Sequence, residues 1–174
     1  VRLELLQFVP MADCVKLSRR KLTNDGAIPR TFTITFYAEW VLGNTRASTA
    51  PYVTTTMDEQ SGAMLARNPW KTQGNEQVAF ADMGGKQTSW TGDRREFLGP
   101  HGNLATPQGL SPGSRLSNRT GAGLDPCCAL QPSLPLAAGE TFDLMTMPGA
   151  ATKPVAAQAR PPRYRTPRRD AVVQ

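Results

Sequence analysis

A strict alternation of residue types over residues 30–42 constrains the fold of this chain more than any other feature. A period of two, rich in β-branched and aromatic residues, is typical of a strand with one buried face, whereas a helix would distribute the same residues around its axis. We therefore predict one long strand in the middle of a sheet. Its apolar face consists of Phe32, Ile34, Phe36, Ala38, Trp40 and Leu42.

The rest of the chain contains many shorter strand patterns separated by turn residues, and no amphipathic helix of 12 or more residues. The sequence Asn24-Asp25-Gly26 is a hairpin signal and predicts that residues 15–23 pair with the long strand. Such a pattern favours an all-β antiparallel sandwich. The further strands are predicted over residues 1–9, 15–23, 52–57, 64–66, 78–82, 87–91, 128–136 and 140–147.

Two segments do not fit a strand pattern. Residues 92–126 are rich in Gly, Pro, Ser and Asn, and long irregular loops of this kind in compact domains are usually functional. Residues from 148 onward are rich in Pro and Arg and lack apolar periodicity, which predicts an extended or disordered segment. We therefore divide the chain into a sandwich over residues 1–147 and a disordered tail over residues 148–174.

The net charge of +6 is concentrated in that tail. The body of the chain is nearly neutral, which argues against a basic nucleic-acid-binding face on the folded domain. No specific nucleic-acid partner is expected, and binding of an anionic polymer through the tail is kept as an alternative function. The tail's basic residues are Lys153, Arg160, Arg163, Arg165, Arg168 and Arg169.

The side chains that carry out most enzyme chemistry are sparse. The three cysteines are odd in number and two are adjacent, which predicts reduced, mostly buried thiols in a cytoplasmic protein. No Cys/His cluster predicts a metal site, no motif predicts a cofactor, and His101 is interpreted as a loop residue in contact with solvent.

Carboxylates and tryptophans are the remaining candidates for chemistry. Asp93 and Glu96 could form the carboxylate pair of a glycosidase, but Arg94 and Arg95 between them favour ordinary ion pairs. Trp70 and Trp90 lie among polar loop residues, where an exposed ring could bind the C–H face of a sugar. Core packing is the competing interpretation of each tryptophan.

Several stretches of the chain, in their order, resemble one family. They are residues 8–19, Tyr37-Ala38-Glu39-Trp40-Val41-Leu42-Gly43, Ala66-Arg67-Asn68-Pro69-Trp70, Val78-Ala79-Phe80-Ala81-Asp82, and two segments of the long loop, residues 91–99 and 121–127. On these the chain resembles the N-terminal β-sandwich region of glycoside hydrolase family 94, formerly glycosyltransferase family 36. Within the family it is closest to the phosphorylase-like region of cyclic β-1,2-glucan synthases. The resemblance covers residues 1–147 and ends near Met147.

The resemblance implies a β-supersandwich of the galactose-mutarotase type in a large enzyme whose chemistry resides in an (α/α)6 barrel. In such phosphorylases the barrel supplies a catalytic Asp that protonates the glycosidic oxygen, and phosphate attacks the anomeric carbon. None of that barrel is recognisable in these residues, so no catalytic residue is assigned and the chain alone is expected to be inactive. A cytoplasmic location is expected, alone or within an inner-membrane-associated bacterial enzyme.

The same resemblance implies partners. They are a β-glucan or gluco-oligosaccharide, the catalytic barrel and a second copy of the chain. Two loops, residues 67–70 and 91–99, are the candidates for approaching the sugar, although they could equally only pack on the barrel, and a free-standing sugar-binding module is an alternative function. The candidate carbohydrate contacts are Arg67, Asn68, Trp70, Trp90, Asp93, Arg94 and Glu96.

Overall fold

The computed structural model of the protein describes residues 1–70, 77–152 and 154–165. Antiparallel strands dominate these residues and the helices are few, which confirms the predicted all-β sandwich. The strands are β1 (Arg2–Phe8), β2 (Leu17–Thr23), β3 (Arg30–Thr33), β4 (Phe36–Glu39), β5 (Thr54–Met57), β6 (Met64–Arg67), β7 (Val78–Asp82), β8 (Ser89–Asp93), β9 (Pro126–Gln131), β10 (Ser133–Leu136) and β11 (Thr141–Ala151). The α-helices are α1 (Arg46–Thr49), α2 (Arg94–Leu98) and α3 (Pro154–Arg165).

The first layer of the sandwich is a six-stranded sheet in the order β1-β2-β11-β7-β6-β5. Strand β11 holds its two halves together, because residues 141–146 pair with β2 and residues 147–151 pair with β7. Apolar side chains on its inner face, such as Met64 and Leu144, pack against Leu130 of the second layer. Burial of this surface is the main source of stability of such a domain.

The second layer consists of the sheets β10-β3 and β4-β9-β8. One register runs through both, since Thr33 pairs with Ser133 and Phe36 pairs with Leu130. Ile34 therefore faces Pro132, which has no N–H to donate to the ladder. The prediction of one continuous strand over residues 30–42 is wrong for this reason: the alternation is present, but the strand is split into β3 and β4.

The predicted hairpin between residues 15–23 and residues 30–42 is also wrong. Strand β2 lies between β1 and β11 in the first layer, whereas β3 lies in the second. The turn at Asn24 instead begins a crossing between layers. Its buried side-chain amide lies 2.9 Å from the carbonyl oxygen of Ile28, 3.1 Å from that of Leu136 and 3.0 Å from that of Ala137. A turn sequence specifies a reversal of the chain but not which sheet the next strand joins.

The long loop joins the two layers along one side. Gly121 accepts a hydrogen bond from the Thr55 N–H (3.1 Å) at the β5 edge, and Arg119 accepts one from the Gly92 N–H (2.8 Å) at the β8 edge. Gly92 has no room for a side chain, because a Cβ atom there would lie 2.4 Å from the Thr55 hydroxyl. The sandwich is thus closed on the side of β5 and β8, while β1 forms the edge on the other side.

The C-terminal residues differ from the extended or disordered segment that their composition predicts. Strand β11 crosses the predicted boundary at residue 147 and ends at Ala151, and helix α3 follows with Pro161 and Pro162 inside it. The helix packs on the outer face of the first layer, where Ala157 joins a buried cluster with Leu65 and Phe80. Polar contacts also hold the helix, and its few apolar residues do not recur at helical spacing, so the hydrophobic pattern did not reveal it. Tail residues 153 and 166–174 lie outside the described residues.

Candidate functional site

Tyr52 and Trp70 form an exposed aromatic pair. Their ring centroids are 4.9 Å apart and their planes differ by 13°, so the rings are stacked. Trp70 is 67% exposed and Tyr52 is 39% exposed. A flat, solvent-facing indole supported from behind by a second ring is the kind of surface on which the C–H face of a pyranose packs. The sequence indicated Trp70 but not Tyr52, because the two are far apart in the chain.

Strand pairing brings these rings together. Strands β5 and β6 are antiparallel with Thr54 opposite Arg67, so the residues before β5 and after β6 emerge on the same side. Asn68 then fixes the loop: its side-chain oxygen accepts a hydrogen bond from the Trp70 N–H (3.1 Å), and its amide donates to the Leu42 carbonyl oxygen (2.9 Å). Arg67 is exposed at the end of β6.

Trp90 occupies a different environment from Trp70. It lies in β8, is half-buried and packs against the central core cluster. Its indole N–H is buried without a hydrogen-bond partner among the described residues. Asn118 forms two hydrogen bonds with the Trp90 backbone. The Asn118 N–H donates to the Trp90 carbonyl oxygen (2.9 Å), and the Trp90 N–H donates to the Asn118 side-chain oxygen (3.0 Å). These contacts match the core-packing interpretation of Trp90.

The carboxylates of Asp93 and Glu96 are engaged within their own loop. Asp93 caps helix α2 by accepting a hydrogen bond from the Arg95 N–H (3.0 Å). Glu96 accepts from the Thr91 hydroxyl (2.6 Å), the Ser117 N–H (2.6 Å) and the Ser117 hydroxyl (2.8 Å). A carboxylate with three such donors is held as a structural acceptor that ties the long loop to the helix.

Arg94 belongs to a closed network of two guanidinium groups and two carboxylates. Its Nε lies 3.0 Å from Glu39 and its Nη1 lies 3.6 Å from Asp125. Arg46 of helix α1 completes the ring, with its Nε 3.1 Å from Glu39 and a further ion pair to Asp125. The Tyr37 hydroxyl also donates to Glu39 (2.9 Å).

This network was not foreseen from the sequence, because its members are distant in the chain and meet only when β4, β9 and β8 pair within the second layer. Burial raises the pKa of Glu39, but the hydrogen bonds from Tyr37 and Arg94 and the charge of Arg46 outweigh it, so the net shift is downward. Burial, assisted by the hydrogen bond to Glu39, raises the pKa of Tyr37. The network therefore keeps a charged carboxylate beside a neutral phenol.

Trp90 packs against the core, and the other six predicted site residues fall into two groups. Arg67, Asn68 and Trp70 form one with Tyr52, and Asp93, Arg94 and Glu96 form the other around helix α2. The segment after β4 contacts both groups. The Leu42 carbonyl oxygen accepts a hydrogen bond from Asn68, and Arg46 forms an ion pair with Glu39.

In the part of the chain that the structure describes, the side chains that could bind a metal ion are not clustered, and two of the three thiols are buried. Searching those residues finds no group of three or more His, Cys, Asp or Glu side chains placed to hold a metal ion. His101 is exposed, as predicted. Cys127 and Cys128 are buried, and burial raises the pKa of both thiols, whereas Cys14 is exposed.

None of the described helices is both long enough and apolar enough to pass through a bilayer.

Comparison with known proteins agrees with this architecture. The chain matches the glycosyl hydrolase 94 supersandwich domain over residues 1–167, so the match continues past the predicted end near Met147. It is also 34% identical over 139 residues, or 80% of its length, to the cyclic beta-(1,2)-glucan synthase NdvB of Rhizobium meliloti (strain 1021). The chain spans only 5% of the length of that relative. By its sequence and its antiparallel sandwich, this chain belongs to the glycosyl hydrolase 94 supersandwich domain family.

Proposed function

We propose that this chain is a non-catalytic carbohydrate-contacting and supporting domain of a family 94 enzyme that acts on β-glucans by glycosyl transfer or phosphorolysis. The exposed Tyr52–Trp70 stack carries the proposal, with Trp70 as the sugar platform. The name of the similar glucan synthase supports a β-1,2-linked glucan as the ligand. We expect the domain to act in the cytoplasm.

Arg67 and Asn68 have different parts in this proposal. The exposed guanidinium of Arg67 lies next to the platform in sequence and can donate to sugar hydroxyl groups. Asn68 acts indirectly, because both ends of its side chain are already bonded to backbone groups and so hold Trp70 in place. Loss of Asn68 is expected to weaken binding by loosening the platform rather than by removing a contact.

The group around helix α2 supports the second half of the proposal, contact with the catalytic barrel. Asp93 and Glu96 accept hydrogen bonds within their own loop, so neither carboxylate is free to act as a general acid, and Arg94 is held by its ion pair with Glu39. A loop made rigid by such bonds is suited to forming a fixed surface for another domain. On the same grounds we propose a second copy of the chain as a further partner.

Intrinsic fluorescence tests the platform, since Trp70 is the exposed tryptophan, while Trp40 is buried and Trp90 is half-buried against the core. Titration with β-1,2-linked gluco-oligosaccharides is expected to change the Trp70 emission at millimolar concentrations. Trp70→Ala is expected to abolish the response, and Tyr52→Ala to weaken binding by removing the support of the indole. Leu110→Ala is the matched control, because Leu110 is another exposed apolar residue, in the long loop.

An unchanged emission at saturating oligosaccharide, or a response that survives in Trp70→Ala, would exclude the platform. Phosphorolysis of β-glucosides by this chain alone, lost on substitution of Asp93 or Glu96, would contradict the non-catalytic assignment. A free-standing sugar-binding module would bind with full affinity without the barrel, whereas a supporting domain would gain affinity when the barrel is added.

Binding of anionic polymers through the basic tail is the competing function. It requires free cations, and Arg165 is engaged with the buried Asp82 carboxylate. Binding that weakens with salt and disappears on deletion of residues 166–174 would favour this alternative.

A further inference from the structure

On the side of β1 the first layer of the sandwich extends beyond the second. The first layer has six strands, whereas the second has two-stranded and three-stranded sheets that share one strand register. The β5 and β8 edges are joined through residues 119–121, so the part of the first layer that the second layer does not cover lies at β1. We call this uncovered inner face, formed by Leu3, Leu5 and Arg20, the overhang. Leu3, opposite the buried Leu22, is 57% exposed, and Leu5 on the same face is 55% exposed.

Arg20 lies on this same inner face, between Leu5 of β1 and Leu144 of β11. The side chain is half-buried, and its guanidinium donates to the Thr146 hydroxyl. Within residues 1–70, 77–152 and 154–165 it forms no ion pair with a carboxylate. Removing a guanidinium from water without an anionic partner costs free energy, so this surface is complementary to a carboxylate.

An open strand edge borders the overhang. Strand β3 pairs only with β10, and β4 pairs only with β9, so the other side of both strands has no strand partner among the described residues. Phe32 and Ile34 pack, together with β10, in the cluster that contains Leu22 of β2 and Phe142 of β11. Because β3 lies on the β1 side of β10 in the second layer, β3 lies over β2. Since facing sheets pack about 10 Å apart, a strand added to the β3–β4 edge would lie over Leu3, Leu5 and Arg20.

We propose that an extended polypeptide segment pairs with the β3–β4 edge and covers this overhang, with apolar side chains on Leu3 and Leu5 and a carboxylate at Arg20. The mixed chemistry of the surface selects this occupant. A small anion would leave both leucines exposed, and a wholly apolar strand would bury Arg20 without a counter-charge. The proposal stands independently of carbohydrate binding at Trp70.

A short acetylated and amidated peptide tests the proposal on the full chain. In this peptide threonine occupies every second position, and the positions between hold valine and one central glutamate. Valine and glutamate therefore lie on the same face of the extended peptide. Labelled peptide is titrated by fluorescence anisotropy, and amide NMR shifts locate the site. Replacing the glutamate by glutamine is expected to weaken binding about tenfold, as for loss of a charge-assisted hydrogen bond. In Arg20→Gln that difference is expected to disappear.

Lys21→Gln is the matched control, because Lys21 is the neighbouring cation of β2 and points to the outer face. Arg20→Lys keeps the charge and should keep a preference for glutamate, which separates loss of charge from loss of fold. The proposal is overturned if the peptide does not bind, or if the preference for glutamate survives in Arg20→Gln. It is also overturned if the amide NMR shifts are confined to the outer face or the β1 edge, or if inorganic phosphate alone displaces the peptide. A homodimer in sedimentation that buries Leu5 would also contradict it.

Discussion

Arg165, near the end of the described chain, forms a two-pronged ion pair with Asp82 at the end of β7, with its Nε 3.1 Å from one carboxylate oxygen and its Nη2 3.0 Å from the other. The Asp82 side chain is fully buried and also accepts from the Gly85 N–H (3.0 Å) and the Gln87 amide (3.2 Å). This pair fastens α3 to the first layer at one end, and Gln158 bonded to Asp58 (2.8 Å) fastens it earlier in the helix.

Removing Arg165 should therefore destabilise the whole domain. Arg165→Ala leaves the buried Asp82 carboxylate without its counter-charge, and we expect a loss of about 2–4 kcal/mol in the free energy of unfolding, as for broken buried pairs. Urea denaturation followed by circular dichroism measures the loss. The control is Arg2→Ala, which breaks an exposed pair with Asp25 at 3.6 Å and should change stability by less than about 0.5 kcal/mol. Equal effects of the two substitutions would mean that α3 is not fastened in this way.

Asn24 is expected to be the most sensitive turn residue. Asn24→Ala removes an amide that bonds the two crossings between layers, and it leaves the carbonyl oxygens of Leu136 and Ala137 without that donor. We expect a destabilisation of about 1–3 kcal/mol in chemical denaturation. Asn44→Ala is a suitable control, because Asn44 is exposed in the loop after β4. A neutral effect at Asn24 would show that the crossings are held by backbone bonds alone.

The close approach of Gly92 to Thr55 can be tested by a rescue experiment. Gly92→Ala is expected to lower the melting temperature, because its Cβ would lie 2.4 Å from the Thr55 hydroxyl at the contact that closes the sandwich. Thr55→Ala in the same chain removes the clashing oxygen and should restore part of the loss. If the double variant is no more stable than expected from adding the two single effects, the clash is not the cause.

The lowered pKa of Glu39 gives a prediction for acid stability. A carboxyl whose pKa falls on folding contributes stability that is fully present above its unfolded pKa, near 4.3, and lost as the pH falls through the folded value. Glu39→Gln should therefore cost stability at neutral pH and flatten the decline below about pH 4. Denaturation over a series of pH values measures both. A variant with the same slope as the parent below that pH would place the acid-sensitive group elsewhere, and Asp58, whose pKa is also lowered, is the next candidate.

The three thiols should differ in reactivity. Cys14 is exposed and Cys127 and Cys128 are buried with raised pKa values, so one thiol per folded chain is expected to react with Ellman's reagent, and all three after unfolding. Cys14→Ser should abolish the reaction in the folded state. A second rapidly reacting thiol would mean that the core opens near β9.

Residue patterns along the sequence determined most strand positions, the sandwich class and the family, because alternation, turn residues and short motifs are all local in the sequence. The Tyr52–Trp70 stack, the Glu39–Arg94 network and the placement of β3 in the second layer were decided only by tertiary structure. Each depends on contacts between residues distant in the chain, whose partners are chosen by register and by closure of the layers. The split between β3 and β4 shows the limit most clearly: residues 30–42 carry the strand pattern, but Pro132 on the facing strand interrupts the ladder.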